Sequence, residues 1–152
     1  MKLIKLTVLA LSMALMTGCL QKAVESAVDA EINKEATRIF FNGVFNDGIT
    51  EIVEFSLAPD YTYNGHPSKV EGTIQWAKSL RKAYPDLHFT INDLIGEGHK
   101  VAIRWTMTGT GSDGVEITTS GTNIITFRDG QAISNWQNGG TPADVHPVKK
   151  EG

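Results

Sequence analysis

A two-residue alternation running through residues 84–136 constrains this chain more than any other feature. Leu87, Phe89 and Ile91 alternate with His88, Thr90 and Asn92, and Val101, Ile103, Trp105 and Met107 take up the same period. Period two belongs to strands with one buried face, because successive side chains of an extended chain point to opposite sides. Three breaks separate the runs: Gly96-Glu97-Gly98-His99, Gly109-Thr110-Gly111-Ser112-Asp113-Gly114, and Arg128-Asp129-Gly130. Glycine and aspartate tolerate the positive φ of tight reversals, so four runs, the last over residues 132–137, read as an antiparallel meander.

Parity then assigns faces, because the apolar set must face whatever covers the sheet. Trp105, Met107, Ile125 and Phe127 point inward, and Asn123 shares their parity, so its amide enters the same interior. A buried amide needs partners, either structural ones or a ligand. Asn135 and Gln137 bring further amides near the sheet end, where the spacing from Ile133 to Trp136 indicates a bulge that leaves their direction open. His88, Thr90, Arg104, Thr106 and Thr108 fall on the outer face, as surface or as a dimer contact.

The covering layer comes earlier in the chain. Over residues 22–46, Val24, Ala27, Val28, Ile32, Ala36, Ile39, Phe40, Gly43 and Val44 recur at three and four, the spacing of an amphipathic helix. Asn46-Asp47-Gly48 stops it, and Thr50 with Glu51 starts a short second helix through Phe55. Residues 60–65 read as a short extended piece, and a third helix over 72–84, with Trp76, Leu80 and Ala83 on one face, ends at Pro85. The expected fold is α+β: three helices on a curved antiparallel four-stranded meander, plus one short strand. At 152 residues this is one domain with one core.

The first five residues carry Lys2 and Lys5, and residues 6–16 form an apolar run too short for a stable transmembrane anchor, the pattern of a secretory signal peptide. Leu15-Met16-Thr17-Gly18-Cys19 resembles the lipobox of bacterial lipoproteins, with Met16 in place of the usual leucine. That resemblance implies cleavage before Cys19 and diacylation of its thiol, giving membrane attachment through Cys19. Leu20, in place of an aspartate, implies outer-membrane sorting if the source is Gram-negative, so the expected location is the bacterial cell envelope. The expected layout is a leader over 1–18, a lipid-anchored spacer over 19–32, a folded domain over 33–138 and a flexible tail over 139–152. The formal charge is −3, and without Lys2 and Lys5 it becomes −5, which speaks against nucleic acid as a partner.

Beyond the leader, Leu80-Arg81-Lys82-Ala83-Tyr84-Pro85-Asp86-Leu87 is followed in order by Gly96-Glu97-Gly98-His99-Lys100-Val101, Arg104-Trp105, Gly109-Thr110, Ser120-Gly121, and Arg128-Asp129-Gly130 through Trp136. This ordered set resembles the SnoaL-like polyketide cyclases, relatives within the nuclear transport factor 2-like superfamily, over roughly residues 33–137. The resemblance implies a cone whose sheet and helices enclose a mostly apolar pocket, in dimers that commonly pair through their sheets. Its departures bear on chemistry. Gly109-Thr110-Gly111 lacks the histidine of the cyclases' Gly-Thr-His, no acid lies between Gly121 and Phe127, and Asn64 stands where relatives often have histidine.

The residues assigned to the pocket are Tyr61, Tyr63, Trp76, Trp105, Met107, Asn123, Phe127 and Trp136. For catalysis only two candidates present themselves, His66 beside Pro67 as acid or base and Asp60 as a carboxylate at the rim, against the plainer readings of an exposed loop histidine and a turn-holding aspartate. His66, His88, His99 and His146 lack the i, i+2 or i, i+4 spacing of metal ligands, and the chain has no P-loop, dinucleotide or G-x-S-x-G motif, so no metal and no cofactor is expected. The sequence reads as a binder of a small apolar or amphipathic molecule. An acid–base enzyme of cyclase, isomerase or hydrolase type and an envelope adaptor or dimerisation module stay open beside it.

Overall fold

The alternating runs form long strands because each buries one face under the helices. The computed structural model describes residues 2–140, with side chains from residue 18 onward. The expected tail beyond Gly140, His146 within it, and the side chains of most of the expected leader lie outside the described residues. The elements are α1 (Lys2–Phe40), a π-helical stretch (Phe41–Asn46), α2 (Ile52–Ser56), β1 (Leu57–Tyr63) and β2 (His66–Pro67). There follow α3 (Val70–Ala83), β3 (His88–Glu97), β4 (Lys100–Thr110), β5 (Glu116–Arg128) and β6 (Gln131–Gly139). Together the strands make one curved sheet in the order β2-β1-β6-β5-β4-β3. Among the described residues no helix is long and apolar enough to cross a membrane.

Strands β3 to β6 are the expected meander. Asp129 and Gly130, at φ of 52° and 79°, form the tight turn between β5 and β6. Two bulges interrupt the parity. Asn92 is the extra residue of β3, between the pairs Ile91–Trp105 and Asp93–Arg104. Ile133 is the extra residue of β6, between Ala132, which faces Phe127, and Ser134, which faces Thr126. The second bulge turns Asn135 and Gln137 inward and Trp136 outward.

The single short strand expected over residues 60–65 is corrected to two. Asn64 and Gly65, at φ of 49° and 80°, reverse the chain from β1 into the two-residue β2, and β1 pairs in parallel with β6. An Asn-Gly turn followed by only two paired residues carries almost no alternation, and a parallel partner as distant in sequence as Asn135 is from Tyr63 leaves no local trace. The short helix also starts later than expected, at Ile52, with no side-chain cap at its start.

The expected helix over residues 22–46 differs in extent and in face. It is continuous from Lys2, and the side it turns to the sheet carries Ala30, Asn33, Thr37 and Phe41, while Val24, Val28, Ile32 and Ile39 are exposed. Close approach selects the smaller side chains: a Cβ at Gly96 would lie 3.0 Å from the Ala30 carbonyl oxygen, and the Asn33 amide donates to the Gly98 carbonyl at 3.2 Å. Larger residues at 30 and 33 would push the helix off the β3–β4 hairpin.

The core lies between helices and sheet, with Trp105, Ile103, Met107, Val44, Val53 and Val101 almost wholly buried. Each such aliphatic side chain contributes about 1.5–3 kcal/mol of transfer free energy. Polar contacts fix the joints. Asp86 accepts from the Thr110 backbone N–H and hydroxyl, both at 2.6 Å, tying the end of α3 to the far end of β4. These bonds hold its carboxyl below the usual range. Arg81 donates to the carbonyls of Phe45 and Asn46 and so satisfies the end of the π-helical stretch. The Asn46 amide in turn pairs with both N–H and C=O of Phe89, at 2.7 and 2.9 Å, and blunts the open edge of β3.

Candidate functional site

A cavity of about 630 Å³ lies between the helices and the inner face of the sheet, within the range that holds drug-sized molecules. Its apolar wall is aromatic. Phe40, Phe41 and Phe45 come from the end of α1 and the π-helical stretch, Trp76 from α3, and Phe89, Trp105 and Phe127 from the sheet. Edge-to-face packing links them, with centroids 5.5 Å apart for Phe41–Phe45 and 5.3 Å for Phe45–Trp76. Such pairs hold the rings in place before any ligand arrives.

The polar end is built from amides on β5 and β6. Asn123, 2% exposed, accepts from the Trp105 indole N–H at 2.6 Å and donates to Asn135 Oδ1 at 2.8 Å and Gln137 Oε1 at 3.2 Å. Asn123 and Gln137 are direct cross-strand partners and Asn135 is the diagonal one, the geometry in which long side chains on one sheet face meet. Asn64, in the turn after β1, accepts from the Gln137 backbone N–H at 2.7 Å. Gly121 makes room for the arrangement: a Cβ there would sit 2.4 Å from the Trp105 ring, so only glycine lets the indole lie across β5.

Tyr61 stands at the end of the amide chain. Burial pushes its hydroxyl up to about 12, and the hydrogen bond from Asn135 offsets only part of that shift. Its phenol therefore stays protonated throughout the physiological range.

Of the residues assigned to the pocket from sequence, Tyr61, Tyr63, Trp76, Trp105, Asn123 and Phe127 line the cavity. Two do not. Met107, two residues beyond Trp105 on β4, is wholly buried in closed core, and Trp136 is 57% exposed, with its ring over the Gly65 turn, because the Ile133 bulge reverses its side. His66 and Asp60 also lie away from the cavity. His66 is exposed on β2, and Asp60 points outward from β1 to Arg128, whose hydrogen bond lowers its pKa. Parity along β1 decides this, since Tyr61 and Tyr63 take the inner side. Asn64, Asn135, Gln137 and the phenylalanines of the π-helical stretch are among the further lining residues. The density of amides over residues 135–138 was the available signal, but their direction depended on the bulge.

No carboxylate, imidazole, ammonium, guanidinium or thiol is found among the described residues that line the cavity. Nor do the described residues contain a cluster of His, Cys, Asp or Glu able to hold a metal ion.

A helix-covered curved sheet around a largely apolar cavity defines a class of ligand-enclosing α+β domains, and comparison with known proteins specifies the family. Residues 35–139 match the family model of the SnoaL-like polyketide cyclases, and the chain belongs to that family. It is similar in structure to a candidate polyketide cyclase from Acidithiobacillus ferrooxidans, with 28% identity, a TM-score of 0.63, and coverage of 71% of this chain and 87% of the other. A candidate polyketide cyclase from Bacillus cereus is 27% identical, with a TM-score of 0.61 over 68% of this chain and 71% of its own. A SnoaL-like protein from Jannaschia sp., at 17% identity and a TM-score of 0.65 over 78% and 96% of the two chains, shares the fold. Comparison with curated proteins gives no match.

Proposed function

We propose that this chain is a membrane-tethered, extracytoplasmic SnoaL-like domain of the bacterial cell envelope that holds a small, neutral, apolar or amphipathic molecule in its cone without transforming it. The observation that carries the reading is the lining: aromatic walls, an amide-rich end, and tyrosines as the only ionisable groups among the described residues that line the cavity. Proton transfer at neutral pH needs a group that can be tuned near 7, and amides and a tyrosine pushed up to about 12 supply none. Burial of apolar ligand surface against the rings, at about 25 cal/mol per Å², supplies affinity. A charged ligand would lose its hydration without an opposite charge to meet it.

Tethering is supported by the lipobox-like residues before Cys19, which is exposed, with several turns of α1 between it and Ala30, the first buried residue of that helix among the described side chains. Lipid on the thiol would then leave the domain free of the membrane surface. The reading is tested by purifying the protein from the membrane fraction of a native host and analysing it by native mass spectrometry, where a retained neutral small molecule is expected. It fails if the purified domain turns over a lactone, ester or polyketide-like substrate. The tether fails if Cys19→Ser is processed normally and remains membrane-bound.

A further inference from the structure

We infer that the polar end of the cavity is poled as a hydrogen-bond donor, so that the site selects neutral ligands bearing a carbonyl-type acceptor, with Gln137 as the residue that meets it. The inference rests on the cavity being a ligand site, as proposed above. It follows from one side chain whose polarity cannot be reversed. An indole N–H donates and never accepts, and Trp105 is 1% exposed with its ring laid across Gly121. The group 2.6 Å from its Nε1 must therefore be an oxygen, which fixes the Asn123 amide with Oδ1 toward Trp105.

Everything downstream inherits that direction. With its oxygen committed, Asn123 turns Nδ2 toward β6, where Asn135 and Gln137 both present oxygens to it. Their own nitrogens consequently point away from Asn123. The Asn135 nitrogen is left for the Tyr61 hydroxyl, whose upward shift Asn135 partly offsets. The Gln137 Nε2 is turned away from Asn123 and belongs to a side chain that lines the cavity. A free amide would turn over to suit either a donor or an acceptor on the ligand. Here the turn would set Gln137 Nε2 against Asn123 Nδ2, two donors facing each other, and leave a hydrogen bond unmade.

A ketone, ester, lactone or quinone oxygen therefore finds a donor at this end. A ligand hydroxyl can also accept there, but its own hydrogen cannot be met by Gln137 Nε2 and must turn to another wall of the cavity.

The test uses full-length protein with fluorenone and fluorenol, a planar ketone and the alcohol of the same skeleton, measured by calorimetry. Wild-type protein should bind the ketone about three- to tenfold more tightly than the alcohol, the value of one hydrogen bond gained or lost. The infrared carbonyl stretch of bound fluorenone should move to lower wavenumber. In Gln137→Leu the ketone preference should fall to about twofold or less and the infrared shift should vanish, with the alcohol losing less affinity than the ketone. Trp105→Phe should reduce the preference similarly, since it frees Asn123 and Gln137 to turn over together, and a preserved thermal transition shows that the variant is folded. Equal or tighter binding of the alcohol by wild type overturns the inference while leaving the ligand-site reading standing. So does a ketone preference that survives in folded Gln137→Leu. If neither probe binds, the ligand-site reading fails and the inference falls with it.

Discussion

Asn123→Leu isolates the contribution of the buried amide to the fold. Leucine keeps the branched outline of asparagine but is larger, so the change removes the hydrogen bonds and adds apolar volume beside the cavity. It strands the Trp105 N–H, which lies with Asn123 in the buried interior, and an unpaired buried donor costs about 1–3 kcal/mol. Asn135 and Gln137 also lose a donor, but both line the cavity, where water replaces it at small cost. The added apolar burial offsets part of the loss, leaving a net destabilisation of about 1–2 kcal/mol, or roughly 3–6 °C in Tm for a chain of this length. Trp105→Phe strands the other half of the same bond and adds a small void. The double variant removes both halves at once, so it should be less destabilised than the two single effects together by about 1–2 kcal/mol. Urea unfolding of the four proteins, followed by circular dichroism, measures this coupling. A coupling below about 0.3 kcal/mol, the usual limit for independent sites, would show that the Trp105–Asn123 bond carries none of the specificity assigned to it.

The remaining predictions concern packing, titration and assembly. Gly121→Ala should destabilise by about 1–3 kcal/mol through overpacking against the Trp105 ring and the Asn138 carbonyl, whereas Gly72→Ala, which meets open space on α3, should stabilise by about 0.5–1 kcal/mol; equal effects in thermal unfolding would contradict the close-approach argument. Tyr61 titrates higher in the fold than the ordinary tyrosine value of 10.0, so its stabilisation is fully present below pH 10 and is lost as pH rises toward about 12. The loss amounts to up to roughly 3 kcal/mol, and Tyr61→Phe should flatten this alkaline limb of the stability curve. The outer sheet face, with Thr90, Arg104, Thr108, Ile124 and Trp136 exposed, should carry a dimer contact, and light scattering that shows a strict monomer at high concentration would remove that expectation.

How much of this was legible in advance depends on the range of the interaction involved. The period-two pattern is a consequence of local covalent geometry, so the four strands of the meander and the inward parity of Trp105, Asn123 and Phe127 were readable from residue order alone. The α+β class and the end of α3 before Pro85 were readable for the same reason. Within the family motif from Leu80 to Leu87, Pro85 keeps its meaning in isolation, since it breaks a helix wherever it stands, whereas Asp86 acts only by accepting from Thr110 on β4.

The site itself was decided elsewhere. One inserted residue, Ile133, reverses every side chain after it, which brings Asn135 and Gln137 into the cavity and sends Trp136 out. The helix face turned to the sheet was settled by the close contact of Ala30 with Gly96, which favours small side chains over the more apolar stripe at Val24, Val28 and Ile32. The parallel pairing of β1 with β6 joins segments with no sequence proximity. The cavity is the volume those packed elements leave unfilled. Periodicity tells which way a side chain points from its own backbone, but a pocket and the direction of its hydrogen bonds are set by what stands opposite, and only the tertiary structure brings those partners together.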